Sequence, residues 1–252
     1  MSMEEYKINR LEEMENFVMT NSYDNLLETF QKLPTNKGRI VHVIGAPGTG
    51  KSTNIYHAVD QLDLNIYDAK LKLPSPDLSP KNVFDLMLES IMEDLGINSS
   101  NQILRYLENF DAVLFADQFH DPHLIYGDTV GFSQWTDFMG VSSFTFYWMC
   151  VKEYHEHRND FKDINMILQT AWRVHLGGEK RDLFTDLGPL SSLAVALLRL
   201  PFEVVKISYS ETETINIVKS HLGDVNNNDI KHYMKKYGNK PRFICNAIKT
   251  DL

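Results

Sequence analysis

The sequence predicts an α/β fold, a parallel β-sheet flanked by helices and followed by a small all-α unit. Three observations carry that prediction. Short apolar, β-branched runs alternate with stretches of helical periodicity, the pattern of parallel strands joined by helical crossovers. A glycine-rich turn, GAPGTGKST, stands between the first such run and the helix after it. Beyond Ser208 the strand-like runs cease and only helical periodicity remains.

Taken in order, residues 3–33 read as helical, with Leu11, Met14, Phe17, Val18, Leu26, Leu27 and Phe30 at three- and four-residue spacing. Pro34–Gly38 is a turn. Arg39–Ile44 reads as a buried parallel strand, because it is a short, mostly apolar and β-branched run. A helix from Lys51 to about Leu62 follows the glycine-rich turn, then a second strand at Leu64–Tyr67 that ends before Pro74, Pro76 and Pro80. Helical periodicity returns at 81–95 and 101–109, and Asp111–Asp117 is again an apolar strand. Residues 119–160 resist parsing beyond an aromatic helix near Phe144–His157. Ile164–Thr170 reads as a strand, Ser191–Arg199 as a helix, and Glu203–Ile207 as the last strand. Glu211–Leu222, Asn228–Tyr237 and Pro241–Ile248 are then three helices. The expected division is an N-terminal helical segment at 1–38, an α/β core at 39–208 and a helical appendage at 209–252.

Acidic residues outnumber basic ones by 34 to 25, a net charge of −9, which argues against wholesale electrostatic capture of nucleic acid. Two cysteines, Cys150 and Cys245, are too few and too far apart for a disulfide framework or a thiolate zinc site. The acidic N-terminus does not suit a signal peptide. The most apolar runs, Val141–Val151 and Leu190–Leu198, are too short to cross a bilayer, so the expectation is a cytoplasmic protein without a membrane partner.

The glycine-rich turn carries the chemistry. Gly45-Ala46-Pro47-Gly48-Thr49-Gly50-Lys51-Ser52-Thr53 fits G-x-x-x-x-G-K-[ST] at every fixed position, between a strand and a helix as that motif requires. Glycines let successive backbone N–H groups face one anion, and the helix N-terminus adds partial positive charge. Lys51 would reach the β- and γ-phosphates, and Ser52 would offer a hydroxyl to Mg²⁺. Asp117, at the end of an apolar strand, would hold the Mg²⁺ water shell opposite Ser52. The next residue is Gln118, which cannot accept a proton from water as a glutamate there would. Either another residue is the base, with His120 and Asp121 nearest in sequence, or hydrolysis is slow and the protein is a nucleotide-dependent switch.

Neither Asp128-Thr129-Val130-Gly131 nor Gly238-Asn239-Lys240-Pro241 makes a guanine-reading set, so ATP is expected over GTP. A nucleoside or nucleotide kinase is the rival reading, with Arg173–Arg181 (RVHLGGEKR) as a cationic lid. An ATP-binding module without turnover is a further alternative. The order of elements at the end of the chain weighs against the kinase: helix, Arg199, core strand, turn, helical appendage, and then Gly238-Asn239-Lys240-Pro241-Arg242 opening another helix. With the two nucleotide motifs, this order resembles the AAA+ superfamily, and within it the STAND and archaeal Orc-like ATPases, over about residues 39–250.

That resemblance implies a P-loop NTPase core with a C-terminal helical lid that closes on ATP and Mg²⁺. It implies that Arg242 is the lid arginine touching the γ-phosphate and that Gln169 or Thr170 is the polar residue orienting water. It also implies that Arg199 is an arginine finger offered to a neighbouring copy, hence a homo-oligomer, with DNA or protein as client. The bland readings are a helix cap for Arg242, a buried amide for Gln169 and a pair with Glu203 for Arg199. The aromatics Phe132, Trp135, Phe138, Phe144, Phe146, Tyr147 and Trp148 read as core, and His155-Glu156-His157 as solvated charge. The lysine-rich run Lys231, Lys235, Lys236, Lys240 and Arg242 reads as a solvated helix face.

Overall fold

The computed structural model describes residues 16–68, 80–109, 112–116, 162–170, 173–176 and 179–251, with positions 152, 155, 156 and 159. Residues 3–15, Cys150, Asp117, Gln118, His120, Asp121, His157 and the aromatics named between 132 and 148 lie outside them.

Strands β1 (Ile40–Ile44), β2 (Ile66–Asp68), β3 (Val113–Ala116), β4 (Met166–Thr170) and β7 (Glu203–Lys206) form one sheet in the order β2-β3-β4-β1-β7. Every pairing in it is parallel. Helices α1 (Asn21–Phe30), α2 (Lys51–Gln61), α3 (Pro80–Leu95), α4 (Asn101–Asn109) and α5 (Pro189–Leu198) accompany the sheet. Three more, α6 (Glu211–Leu222), α7 (Asn227–Tyr237) and α8 (Pro241–Asp251), close the chain. The parallel sheet flanked by helices, with an all-helical C-terminal unit, is the fold class expected from the sequence.

All five residues of β1 are buried, as a central parallel strand covered on both faces must be. Side chains alternate across the pleat. Val41 and Val43 pack with Tyr23, Leu26 and Phe30 of α1 and Ile55 and Ala58 of α2. Ile44, on the opposite face, packs with Phe184 and with Val195 of α5. A third cluster joins Ile91 of α3 to Ile103 and Leu107 of α4 beneath the β3–β4 side. The C-terminal helices have an apolar centre of their own in Val218, Ile230, Ile244 and Ile248.

Two stretches bear on the sequence reading. Within the helical run expected at 3–33, residues 17–20 are not helical and α1 starts at Asn21, because Thr20 takes an extended conformation (φ −139°) and its hydroxyl accepts from Tyr23 N. A side-chain oxygen that can cap a helix start offsets the periodicity that would carry the helix further back. The stretch Arg173–Arg181, the lid of the rival kinase reading, falls on an antiparallel pair of strands, β5 (Arg173–Leu176) and β6 (Glu179–Asp182).

His42, in the middle of β1, is 3% exposed, with its ring centroid 4.7 Å from that of Phe202. Burial pushes its pKa from 6.5 down to about 4. Between those values the folded chain binds fewer protons than the unfolded one, so this stability is present above the ordinary value and is lost as pH falls toward 4. The expected loss is on the order of 2–3 kcal/mol, measurable by urea unfolding at about pH 7 and about pH 4.5. A His42→Leu variant should flatten that slope. An equally steep decline in the variant would assign the acid sensitivity to other groups.

Candidate functional site

The glycine-rich turn leaves the end of β1 and enters α2, and its conformation follows from its composition. Gly48 and Gly50 sit at φ +83° and +73°, where a side chain would be strained. Thr49 ties the turn together, its Oγ1 donating to Ala46 O at 2.8 Å and its N to the same oxygen at 3.3 Å. Gly50 is the N-cap of α2 and makes no side-chain cap hydrogen bond, so no cap side chain competes with an anion for the start of the helix.

Lys51 is 7% exposed, and its ammonium lies back on the loop, donating to Gly45 O at 2.8 Å and Ala46 O at 3.3 Å. A buried ammonium needs such acceptors. Both are carbonyls of the same cradle that its charge would serve. The Ser52 hydroxyl donates to Gln169 Oε1 at 2.9 Å. Gln169 is 6% exposed at the C-terminal end of β4, paired to Val43 of β1, and the parallel register brings it beside the loop. The structure therefore brings Lys51, Ser52 and Gln169 together. A hydroxyl and an amide oxygen are hard donors that suit Mg²⁺. Among the described residues no three His, Cys, Asp or Glu side chains gather as a metal site. Strand β3 runs to Ala116, paired with Leu168, and Asp117 and Gln118 fall outside the described residues.

The C-terminal helices reach the loop from the other side. Arg242 N donates to Gly48 O at 3.2 Å, and the Phe243 ring lies within 3.2–3.4 Å of where a Gly48 Cβ would stand. Tyr209 Oη donates to Thr49 O at 2.7 Å and accepts from Asn54 Nδ2 at 2.9 Å. Burial pushes the Tyr209 phenol up to about 12, so it keeps the proton it donates. Asn239 Nδ2 donates to Tyr209 O at 2.7 Å. Lys240 pairs with Asp186 at 3.0 Å, which anchors the turn before α8 to the loop after β6. Hydrogen bonds from Asp182 N and Lys240 hold the Asp186 carboxyl below its ordinary value against the opposing effect of burial.

Between these parts lies a cavity of about 360 Å³, walled by residues 16–18, Gly48–Gly50, Thr53, Ile217 of α6, and Arg242 and Lys249 of α8. Arg242 is thus at the loop with an exposed side chain. Arg199, at the C-terminal end of α5, is exposed and does not line the cavity. Glu203 meets Arg39 at 3.0 Å, which displaces the Arg199–Glu203 pairing considered from sequence. In the lysine-rich run, Lys231 pairs with Glu211 and Lys240 with Asp186, so part of that charge is internally matched. The sequence reading missed Asn54, Tyr209, Asn239 and Phe243. None of the four carried a local signal.

No family model matches the chain, and no curated protein matches it. Among solved structures 63 chains do. One is the crystal structure of Pif1 helicase from Candida albicans, 10% identical with a TM-score of 0.31, over 87% of this chain and 48% of that one. The chain thus spans about half the length of that helicase, and a likeness of this degree carries no argument about activity. The chain's own loop stands between a buried parallel strand and a helix, on a parallel sheet flanked by helices.

Proposed function

We propose that this chain binds Mg·ATP at Gly45–Thr53 and works as an AAA+/STAND-like ATPase, a slow-hydrolysing switch whose helices at 209–252 form a lid. The observation that carries the reading is the contact between the first turn of α8 and the phosphate loop, Arg242 N to Gly48 O at 3.2 Å. It supports a lid arginine at the γ-phosphate position. A kinase would need cations over the phosphates from Arg173–Arg181, whereas the cavity's cationic wall comes from Arg242 and Lys249. The cavity beside the loop has the volume for a nucleoside, with Val18 and Ile217 as apolar walls.

In this reading the loop amides and Lys51 hold the phosphates, and the lysine leaves the carbonyls of Gly45 and Ala46 to do so. Ser52 turns from Gln169 toward the metal, with Asp117 as the second protein group of that site, and Gln169 is released to orient water. Magnesium would neutralise charge between the β- and γ-phosphoryl oxygens. Arg242 follows the γ-phosphate and draws α8 with it, and hydrolysis to ADP lets the lid go.

Arg199 is assigned to a neighbouring copy. Leu190, Leu193, Leu197 and Leu200 stand 57–81% exposed on and just after the same helix, an apolar stripe of the kind association covers. A DNA or protein client moved by such an assembly, in the cytoplasm, completes the proposal. Among the described residues no helix is long and apolar enough to cross a membrane.

Titration calorimetry with Mg·ATP tests the binding step. Single-turnover phosphate release tests the switch. The natural chain should release phosphate slowly, and Gln118→Glu should accelerate it, by about 10-fold or more if a general base is what the site lacks. An unchanged rate in Gln118→Glu would place the base elsewhere.

A further inference from the structure

We propose that Tyr209 is the positioning residue through which the C-terminal helices sense whether the phosphate loop is filled. The inference rests on the phosphate-binding reading above and adds a route from the loop to Arg242 that does not pass through the γ-phosphate.

Tyr209 lies between β7 and Ser210, the N-cap of α6, so its backbone is the joint between sheet and C-terminal helices. Its side chain turns back to the loop. Two successive loop peptides are held by their carbonyls from the helical side: Gly48 O by Arg242 N at 3.2 Å, and Thr49 O by Tyr209 Oη at 2.7 Å. Asn54 Nδ2 braces the same corner, reaching both Tyr209 Oη at 2.9 Å and Gly50 O at 2.8 Å.

A peptide group is planar, so fixing the Thr49 carbonyl also fixes the direction of the Gly50 N–H. A hydrogen bond accepted by that carbonyl polarises the group and makes its N–H a better donor. The phenol therefore acts on a phosphate-binding amide from behind. The converse also holds: when an anion pulls on the Gly50 N–H, the Thr49 carbonyl tilts and the phenol moves with it. Asn54 Oδ1 has no partner among the described residues, so the amide can swing with the phenol without breaking a bond at that oxygen.

The motion has an outlet. Tyr209 O accepts from Asn239 Nδ2 at 2.7 Å, and Asn239 stands in the turn between α7 and α8, three positions before Arg242. Loop peptide, phenol, joint, Asn239 and α8 form one unbroken chain of bonds.

The test is calorimetry with Mg·ATP and amide hydrogen exchange over residues 227–251, with and without saturating Mg·ATP. Four proteins are compared: the natural chain, Tyr209→Phe, Asn239→Ala and the double variant. The natural chain should gain protection over 227–251 on binding. Tyr209→Phe keeps the ring but loses the bonds; it should bind about 10-fold more weakly and, once saturated, should lose that gain. Asn239→Ala should lose the same protection, and the double variant should be no worse than the weaker single one. A purely structural role would lower thermal stability, add in the double variant and leave the saturated exchange pattern intact. Natural protection in saturated Tyr209→Phe, or strict additivity, overturns the relay. Should Tyr209→Phe fail to fold, Asn239→Ala leaves the phenol in place and decides by the same exchange readout. If the natural chain takes up no Mg·ATP, the phosphate-loop reading fails and this inference with it. If it binds with full protection and the variants match it, only the relay falls.

Discussion

Replacing Lys51 by alanine is expected to weaken Mg·ATP binding about 100-fold, with little change in thermal stability when nucleotide is absent. The magnitude follows from what the ammonium does in each situation. Without nucleotide it serves two carbonyls, Gly45 O and Ala46 O, and Ala46 O also accepts from Thr49. Alanine leaves those oxygens near an open cradle where water replaces the lost donors, so the folded state loses little. With nucleotide bound, the ammonium would make charge-assisted bonds to phosphate oxygens inside a site it shares with buried backbone. Such bonds contribute about 1.5–3 kcal/mol each, more than the neutral amides beside them. Calorimetry gives the affinity, and ligand-induced thermal stabilisation checks it on the same protein. The natural chain should melt higher with Mg·ATP, and Lys51→Ala should not. Unchanged affinity in a well-folded Lys51→Ala would mean that the loop is not where the phosphates lie.

The parts of this site that were legible in the sequence are those in which a short stretch dictates its own conformation. Strand β1 announced itself because a strand buried on both faces is mostly apolar and β-branched, even with His42 in its middle, and the loop because its glycines take positive φ and its lysine would face anions. Gln169 entered the reading only through the family resemblance, with Thr170 as its alternative, and the parallel register with β1 sets Gln169 beside Ser52. What the sequence did not disclose depends on contacts between distant segments. Tyr209 meets Thr49 across 160 positions, and no local pattern marks a phenol that reaches back to a loop carbonyl. Thr20 hid in a helical periodicity that a single side-chain cap interrupts. The β5–β6 hairpin did carry a signal, Gly177-Gly178 between two four-residue strands, but its charged strands hid the alternation that marks a half-buried sheet.

The first glycine of the loop supports a second large effect. A Cβ on Gly45 would stand 2.8 Å from Ile207 O, 3.0 Å from Thr49 Oγ1 and 3.4 Å from Lys51 Cδ. The lysine stem can yield, but Ile207 O belongs to a backbone already fixed, since Ile207 N donates to Ile44 O at 2.8 Å. The joint between β7 and α6 therefore passes too close to the loop for any side chain, and only glycine allows the two to touch. Gly45→Ala must push that joint away or distort the loop, at a cost of about 2–3 kcal/mol by the range for overpacked sites. In a chain of this size that lowers Tm by about 5–10 °C. Mg·ATP binding should fall as well, because the displaced residues include the start of the segment carrying Tyr209. Gly50→Ala is the control. Its nearest neighbours, Asn54 Nδ2 and Tyr209 Oη, are 3.8 Å away, an ordinary van der Waals contact, so it suffers chiefly the strain of φ +73°. That strain is worth about 1 kcal/mol, and Tm should fall by less than half as much. If Gly45→Ala proved as mild as Gly50→Ala, the close approach of joint to loop would be wrong, and a rigid seat for the C-terminal helices on the phosphate loop would be wrong with it.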